Sequence, residues 1–117
     1  MTRPTVVILG AGLGGTIAAY EIRHALGDRA HVVMVSNGDT FHFTPSNPWV
    51  AVNWRKREAI EVSLPGVMKR KGVEFINVAA TGIRPDEKSV DLADGRTLAY
   101  DYLVIATGPD LAFDEIP

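Results

Sequence analysis

Hydrophobic residues follow two different periods along the first third of the chain. Residues 6–9 are apolar throughout, as expected of a strand that is buried on both faces. After a glycine-rich interruption, apolar residues recur every three to five positions, which predicts a helix with one apolar face that ends at Gly27. Residues 32–35 are again apolar and predict a parallel strand beside the first. Together these segments predict a βαβ unit.

The middle of the chain is less regular. Residues 40–49 hold three aromatic residues and two prolines, and we interpret them as a rigid loop after the second strand. Such a loop could form a wall for a planar ring or simply cap the core. The charged stretch 50–60 predicts a short helix or turn, residues 64–72 predict a brief helix that ends at glycine, and residues 73–77 predict a third parallel strand.

From residue 78 onward the pattern changes to short alternating segments. Residues 79–84, 89–92 and 96–100 are separated by turn sequences, which predicts a three-stranded antiparallel meander. Residues 102–106 are apolar throughout and predict a return to the parallel sheet, whereas residues 110–117 have no regular period. The predicted fold class is therefore α/β, a Rossmann-like domain with a parallel sheet and a three-stranded antiparallel meander.

The glycine-rich interruption carries the strongest chemical signal. It places four glycines in six positions, Gly10, Gly12, Gly14 and Gly15, between a buried strand and a helix. The spacing Gly-x-Gly-x-x-Gly predicts a dinucleotide site, because the pyrophosphate must approach the backbone amides at the helix N-terminus. Gly10 supplies the tight turn, Gly12 admits the phosphate, and Gly15 lets the helix pack on the strand. A plain strand-to-helix turn would not explain so many glycines.

The second strand ends without the carboxylate that often binds the adenosine ribose. Ser36 and Asn37 stand there instead, and their hydroxyl and amide groups can hydrogen-bond a ribose without charge. Asp39, deeper in the turn, is the alternative contact. The missing carboxylate favours FAD over NAD. His42 is open to two interpretations, a packing histidine or a proton-transfer group.

Composition and charge exclude several function classes. The 117 residues are 46% hydrophobic, enough for one compact core, and the net charge of −2 offers no basic face for nucleic acid. No apolar run is long enough to span a membrane, and no signal-peptide pattern is present, so we expect a cytoplasmic or peripheral membrane location. With zero cysteines, the chain has no disulfide and no thiolate metal site, and we predict no metal ligands.

Three stretches are similar to a known family. The glycine turn, the meander and the strand that ends in Ala-Thr-Gly at 106–108 resemble the two-dinucleotide-binding-domain flavoproteins of the pyridine nucleotide-disulphide reductase superfamily. Within it, FHFTPSNPWVAVNW at 41–54, ADG at 93–95 and YDYLVIATGP at 100–109 resemble sulfide:quinone oxidoreductases. The resemblance covers essentially the whole chain, which is then interpreted as one FAD-binding domain, residues 1–117, the N-terminal fragment of a longer flavoprotein.

The resemblance implies FAD as the cofactor, with the pyrophosphate on the glycine turn and the amides that follow it. It implies ribose contacts after the second strand, adenine near the meander, and flavin or ribityl contacts on two further loops. The implied residues are Gly10, Ala11, Gly12, Leu13, Gly14, Gly15, Ser36, Asn37, Thr44, Pro45, Val78, Ala79, Thr107 and Gly108.

The resemblance also implies a reaction, in which sulfide reduces FAD through redox cysteines and FAD reduces a membrane quinone. Because this chain has no cysteine, we expect no catalytic residue within it, and we expect the cysteines, a second dinucleotide domain and a membrane-anchoring region beyond Pro117. Alternatives are a type II NADH:quinone oxidoreductase, a flavocytochrome sulfide dehydrogenase, or a nucleotide-binding module without catalysis. The oligomeric state stays open.

Overall fold

The computed structural model describes residues 3–116, and strands alternate with helices through its first two thirds. In chain order the elements are β1 (Thr5–Leu9), α1 (Leu13–Leu26), β2 (His31–Ser36), β3 (Thr40–His42), α2 (Asn47–Ala51), β4 (Glu61–Ser63), α3 (Leu64–Lys71), β5 (Glu74–Asn77), β6 (Ala80–Arg84), β7 (Ser89–Leu92), β8 (Thr97–Ala99) and β9 (Tyr102–Ile105).

The central sheet is parallel and has the strand order β5-β2-β1-β9. It contains the two strands of the predicted βαβ unit, the predicted third strand and the predicted return of the chain, so the α/β fold class is confirmed. The helix predicted after the glycine turn is α1, which ends at Leu26 with Gly27 at its C-cap. The next predicted helix is α3, which ends at Gly72 in the left-handed conformation.

Apolar residues of the sheet are buried on both faces, which explains the unbroken apolar runs in the sequence. In β1, Val6 and Ile8 pack with α1 and α3, whereas Val7 and Leu9 pack on the opposite face. On that face the predicted meander is present as the antiparallel sheet β6-β7-β8, and its Val90 and Leu92 are buried against the parallel strands. The domain therefore has three layers, with helices on one face and the meander on the other.

A short turn joins the second and third strands of the meander. The backbone N–H of Arg96 and its guanidinium both donate to the Asp94 carboxylate, at 3.1 and 2.7 Å. The hydrogen bond from that backbone N–H is the main cause that lowers the pKa of the Asp94 carboxyl below its ordinary value. Gly95 follows with a φ of +88°, so the sequence Asp-Gly fits the turn it makes.

The interpretation of residues 40–49 as a loop is wrong. Residues 40–42 form β3, which pairs antiparallel with β4, and α2 begins at Asn47, before the stretch in which a short helix was expected. Three-residue strands are too short for a periodic signal, and β3 exists because of a partner about twenty residues away. Two smaller differences are that β5 begins at Glu74 and that the tail contains a single 3₁₀ turn, Phe113–Glu115.

Strand β9 is bound to the start of β1 by two reciprocal hydrogen bonds. The Thr5 backbone N–H donates to the Asp101 carboxylate at 2.7 Å, and the Asp101 N–H donates to the Thr5 carbonyl at 2.9 Å. On its other side β9 has no neighbour in the described sheet, and Tyr102 and Ile105 are 65% and 62% exposed. Within residues 3–116, no helix is both long and apolar enough to cross a membrane.

Candidate functional site

The glycine turn lies at the carboxyl end of β1, between β2 and β9. Gly10 has a φ of +100°, and its N–H donates to the Val35 carbonyl at 2.9 Å. A Cβ at Gly10 would lie 2.6 Å from the Ala106 carbonyl carbon, and one at Gly15 would lie 2.8 Å from the carbonyl carbon of Gly10. Both distances are shorter than real Cβ contacts allow, so these two glycines are required by the backbone alone.

Gly12 differs from Gly10 and Gly15 because nothing in the structure crowds it. A Cβ at Gly12 would meet no atom within 4 Å, and the residue is exposed with an ordinary φ of −80°. Gly12 is also the N-cap of α1, and no side chain caps that end of the helix or places an acid in its first turn. The open space therefore lies beside the uncapped amides of a 14-residue helix, where an anion is favoured.

A cavity of about 520 Å³ opens over this turn along the carboxyl ends of the strands. This edge is where ligands bind in open parallel sheets. The lining residues come from the ends of β1, β2 and β9, from β3 and from the start of the meander. They are Leu9, Gly10, Ala11, Gly12, Val35, Ser36, Asn37, Thr40, His42, Thr44, Ala79, Ala80 and Thr107.

A second cavity of about 390 Å³ continues from the same turn toward the loop after β9. It adds Leu13, Gly14, Ala106, Gly108 and Pro109 to the lining, and it shares six residues with the first cavity. The shared residues are Gly10, Ala11, Gly12, His42, Thr44 and Thr107. The two cavities thus form one elongated groove whose middle is the glycine turn.

The predicted ribose contacts follow one another at the end of β2. Ser36 and Asn37 both line the larger cavity, whereas Asp39, the alternative ribose contact, lines neither. The Asp39 carboxylate instead accepts a hydrogen bond from the Thr40 hydroxyl at 3.1 Å. Asn77 at the end of β5 accepts one from the Gly38 N–H at 2.8 Å and so ties this loop to the neighbouring strand. The sequence analysis did not single out Asn77.

The structure does not bring three of the predicted site residues to the groove. Gly15 is buried beneath the turn against the carbonyl of Gly10, and Pro45 is exposed in the short 3₁₀ turn after β3. Val78 packs against the core between the parallel sheet and the meander, so Ala79 and Ala80 line the cavity in its place. The other eleven predicted residues line one or both cavities.

The aromatic residues of 40–49 do not form a wall of the groove. Phe41 packs against the core, and it lines a separate cavity together with Phe43 on the far side of β3 and β4. Trp49 and Trp54 line another surface cavity with Pro48 and Val52. The groove wall from this segment is made by His42 and Thr44.

His42 faces Glu61 across the β3–β4 pair, where the two residues are direct partners. Its Nδ1 lies 3.2 Å from Glu61 Oε1, which also accepts a hydrogen bond from the Arg57 guanidinium. The packing interpretation of His42 is wrong, since its side chain is 45% exposed and lines both cavities. Among residues 3–116, no three histidine, cysteine, aspartate or glutamate side chains lie close enough together to hold a metal ion.

A protein-family model described as pyridine nucleotide-disulphide oxidoreductase matches residues 4–114. The chain belongs to the pyridine nucleotide-disulphide oxidoreductase family. It is 43% identical over 108 residues to the sulfide-quinone reductase of Aquifex aeolicus, a match that covers 92% of this chain and 25% of the relative. It is 30% identical over 106 residues to putidaredoxin reductase CamA of Pseudomonas putida, covering 88% of this chain and 25% of that protein.

Solved structures of this family have the same fold. The X-ray structure of the Aquifex aeolicus sulfide:quinone oxidoreductase superposes with a TM-score of 0.92 at 41% identity, over 95% of this chain and 26% of that one. The chain thus spans about a quarter of the length of the relatives it matches. Members of the family are FAD-binding oxidoreductases, so the cofactor and the Rossmann-like fold predicted from the sequence are confirmed.

The groove fits a dinucleotide in chemistry as well as in shape. Gly12 leaves space at a helix N-terminus, and a hydroxyl and an amide follow at one end of the groove. The small apolar side chains of Ala79 and Ala80 line the larger cavity as well.

Proposed function

We propose that this groove binds FAD along its length and that the chain is the N-terminal FAD-binding portion of a sulfide:quinone oxidoreductase. The pyrophosphate lies over Gly10, Ala11 and Gly12, where the N-terminal amides of α1 at Leu13 and Gly14 neutralise part of its charge. The open space at Gly12 is the observation that carries this assignment, because a buried structural glycine would have crowded surroundings instead.

The adenosine half occupies the larger cavity in this proposal. Ser36 and Asn37 hydrogen-bond the ribose hydroxyls, and the adenine ring rests on the backbone near Val78 and Ala79. The bond between Asn77 and Gly38 holds the loop after β2 at a fixed distance from that ring. Binding here depends on shape and neutral hydrogen bonds, since no carboxylate lines the cavity within the described residues.

The flavin side leaves the groove through the smaller cavity. Thr44 and Thr107 stand on its two walls, Gly108 follows with a φ of +73°, and Pro45 stiffens the turn that carries Thr44. These residues orient the ribityl chain and screen it from water, which are tasks of the protein rather than of the cofactor. Only part of a flavin pocket is built from this chain.

The reaction is assigned to the whole protein. Bound FAD supplies the redox chemistry, taking electrons from sulfide and giving them to a quinone. The identity of 43% to the Aquifex sulfide-quinone reductase supports this substrate pair. Because the chain contains no cysteine, thiol chemistry with sulfide requires residues outside it, and a peripheral contact with the quinone-bearing membrane is likewise assigned to other parts of the protein.

The full-length protein tests this proposal directly. We expect it to be purified with bound flavin, to lose its flavin absorption anaerobically when sulfide is added, and to regain it when a soluble quinone follows. NADH in place of sulfide serves as the matched electron donor. Bleaching by NADH but not by sulfide would contradict the sulfide assignment while leaving FAD binding intact.

A second candidate is a reductase that takes electrons from a nicotinamide cofactor. The family description, pyridine nucleotide-disulphide oxidoreductase, supports this alternative, and it shares the FAD groove with the first candidate. The comparison of sulfide with NADH as electron donor separates the two candidates. A full-length protein purified without flavin, and unable to take up FAD, would favour a nucleotide-binding module without catalysis.

A further inference from the structure

His42 is the sole ionisable side chain among the residues that line the groove in the described part of the chain. It lines both cavities, so it stands at their junction, over the glycine turn and beside Thr44. Every other lining residue is apolar, a glycine, or a neutral hydroxyl or amide. A ligand with two negative charges in the middle of this groove therefore meets one side chain that can oppose them.

We propose that His42 contacts the pyrophosphate of the bound dinucleotide. The inference rests on the proposed function, which places that pyrophosphate over Gly10 and Gly12. Nδ1 of His42 lies 3.2 Å from Glu61 Oε1. The imidazole ring has a second nitrogen as well, and a ring N–H donates a hydrogen bond to a phosphate oxygen.

The charged groups around His42 are arranged so that the phosphate is not repelled. Glu61, its partner on β4, carries a negative charge, but the Arg57 guanidinium binds the same carboxylate oxygen. Glu58 and Asp39, on the segments that flank the β3–β4 pair, line neither cavity. The Arg57 guanidinium therefore offsets the charge of the Glu61 carboxylate beside His42.

The β3–β4 pair accounts for the position of His42. The Phe43 N–H donates to the Ile60 carbonyl at 2.8 Å, which fixes the chain directly after His42. On the same strand Phe41 packs toward the core, so alternation along β3 sends His42 the other way, toward the groove. This two-stranded ribbon was absent from the sequence prediction, and it is the element that carries His42.

The test compares ligands with and without phosphate on the 117-residue chain. FAD and adenosine are titrated into wild-type chain and into His42→Asn, with His24→Asn as the control because His24 is exposed on α1 and remote from the groove. We expect His42→Asn to weaken FAD binding roughly three- to tenfold, less than a fully buried charge-assisted bond would give, and adenosine binding less than twofold. His24→Asn should change neither.

Each outcome has a distinct meaning. Failure of both the wild-type chain and the full-length protein to bind FAD contradicts the proposed function itself. Normal FAD affinity in His42→Asn, or an equal loss for FAD and adenosine, overturns the assignment of His42 to the pyrophosphate while FAD binding stands. Glu61→Gln, which keeps the size of the partner, should preserve the preference for FAD over adenosine in a folded chain.

Discussion

At the scale of single residues, the glycine turn separates backbone requirements from ligand requirements. Gly15 has no room for a Cβ, whereas Gly12 faces open space. We expect Gly15→Ala to lower the free energy of unfolding by about 1–3 kcal/mol or more, because the new methyl group overlaps a backbone carbonyl. Gly12→Val should leave the free energy of unfolding nearly unchanged.

FAD binding should be affected in the opposite way, with the larger loss in Gly12→Val. Gly12→Val places two γ-methyl groups where the pyrophosphate is proposed to lie, so we expect no measurable FAD binding by a folded protein. Urea unfolding and fluorescence titration with FAD, applied to both variants, check the pair. Full FAD occupancy in Gly12→Val would place the pyrophosphate elsewhere.

Ser36 tests whether neutral hydrogen bonds hold the ribose. We expect Ser36→Ala to weaken FAD binding by about 0.5–1.5 kcal/mol, the amount typical of one uncharged hydrogen bond. Asp39→Ala is the matched control because Asp39 lies outside both cavities. If titration shows the larger loss for Asp39→Ala, the ribose contact must be reassigned to that carboxylate.

Residue patterns predicted the part of the site that depends on local backbone geometry. The spacing of Gly10, Gly12 and Gly15 directly after a buried strand predicts a tight strand-to-helix turn. Ser36 lies at the end of the neighbouring strand β2, beside the same cavity. His42 could not be assigned in this way. Its position depends on a pairing with Glu61, which lies 19 residues away and has no local signature.

At the scale of elements, the meander acts as the second cover of the parallel sheet. Leu92 in β7 is 4% exposed and packs against β1 and β2, whereas Ile83 in β6 is 38% exposed. We expect Leu92→Ala to cost about 2–5 kcal/mol of unfolding free energy and Ile83→Ala much less. Equal costs in chemical denaturation would mean that the meander folds as a unit apart from the sheet.

Long periodic elements were predictable and short ones were not. The apolar stripe of α1 and the continuous apolar runs of β1, β2 and β9 each repeat over enough residues to define a period. β3, β4 and α2 have between three and five residues, so tertiary contacts decide their conformation. For the aromatic residues near β3 the sequence left two interpretations open, a ligand wall or a cap on the core, and in the structure they lie away from the groove.

At the scale of the whole molecule, the proposed groove provides most of an adenosine diphosphate site and only part of a flavin site. We expect the isolated chain to fold and to bind ADP and FAD with similar, modest affinities by calorimetry. It should show no sulfide-dependent quinone reduction, since it contains no thiol. Tight FAD binding together with turnover would show that the isolated chain is a complete enzyme.

The two hydrogen bonds between Thr5 and Asp101 join segments that are 96 positions apart in the chain. β1 therefore leaves the ribosome well before β9, its neighbour in the sheet. Until β9 follows, one edge of this apolar strand has no partner, and the Gly10 turn lacks the Ala106 carbonyl that closes over it. A nascent chain of this kind can complete its groove only after β9 has emerged, and such distant pairing folds slowly.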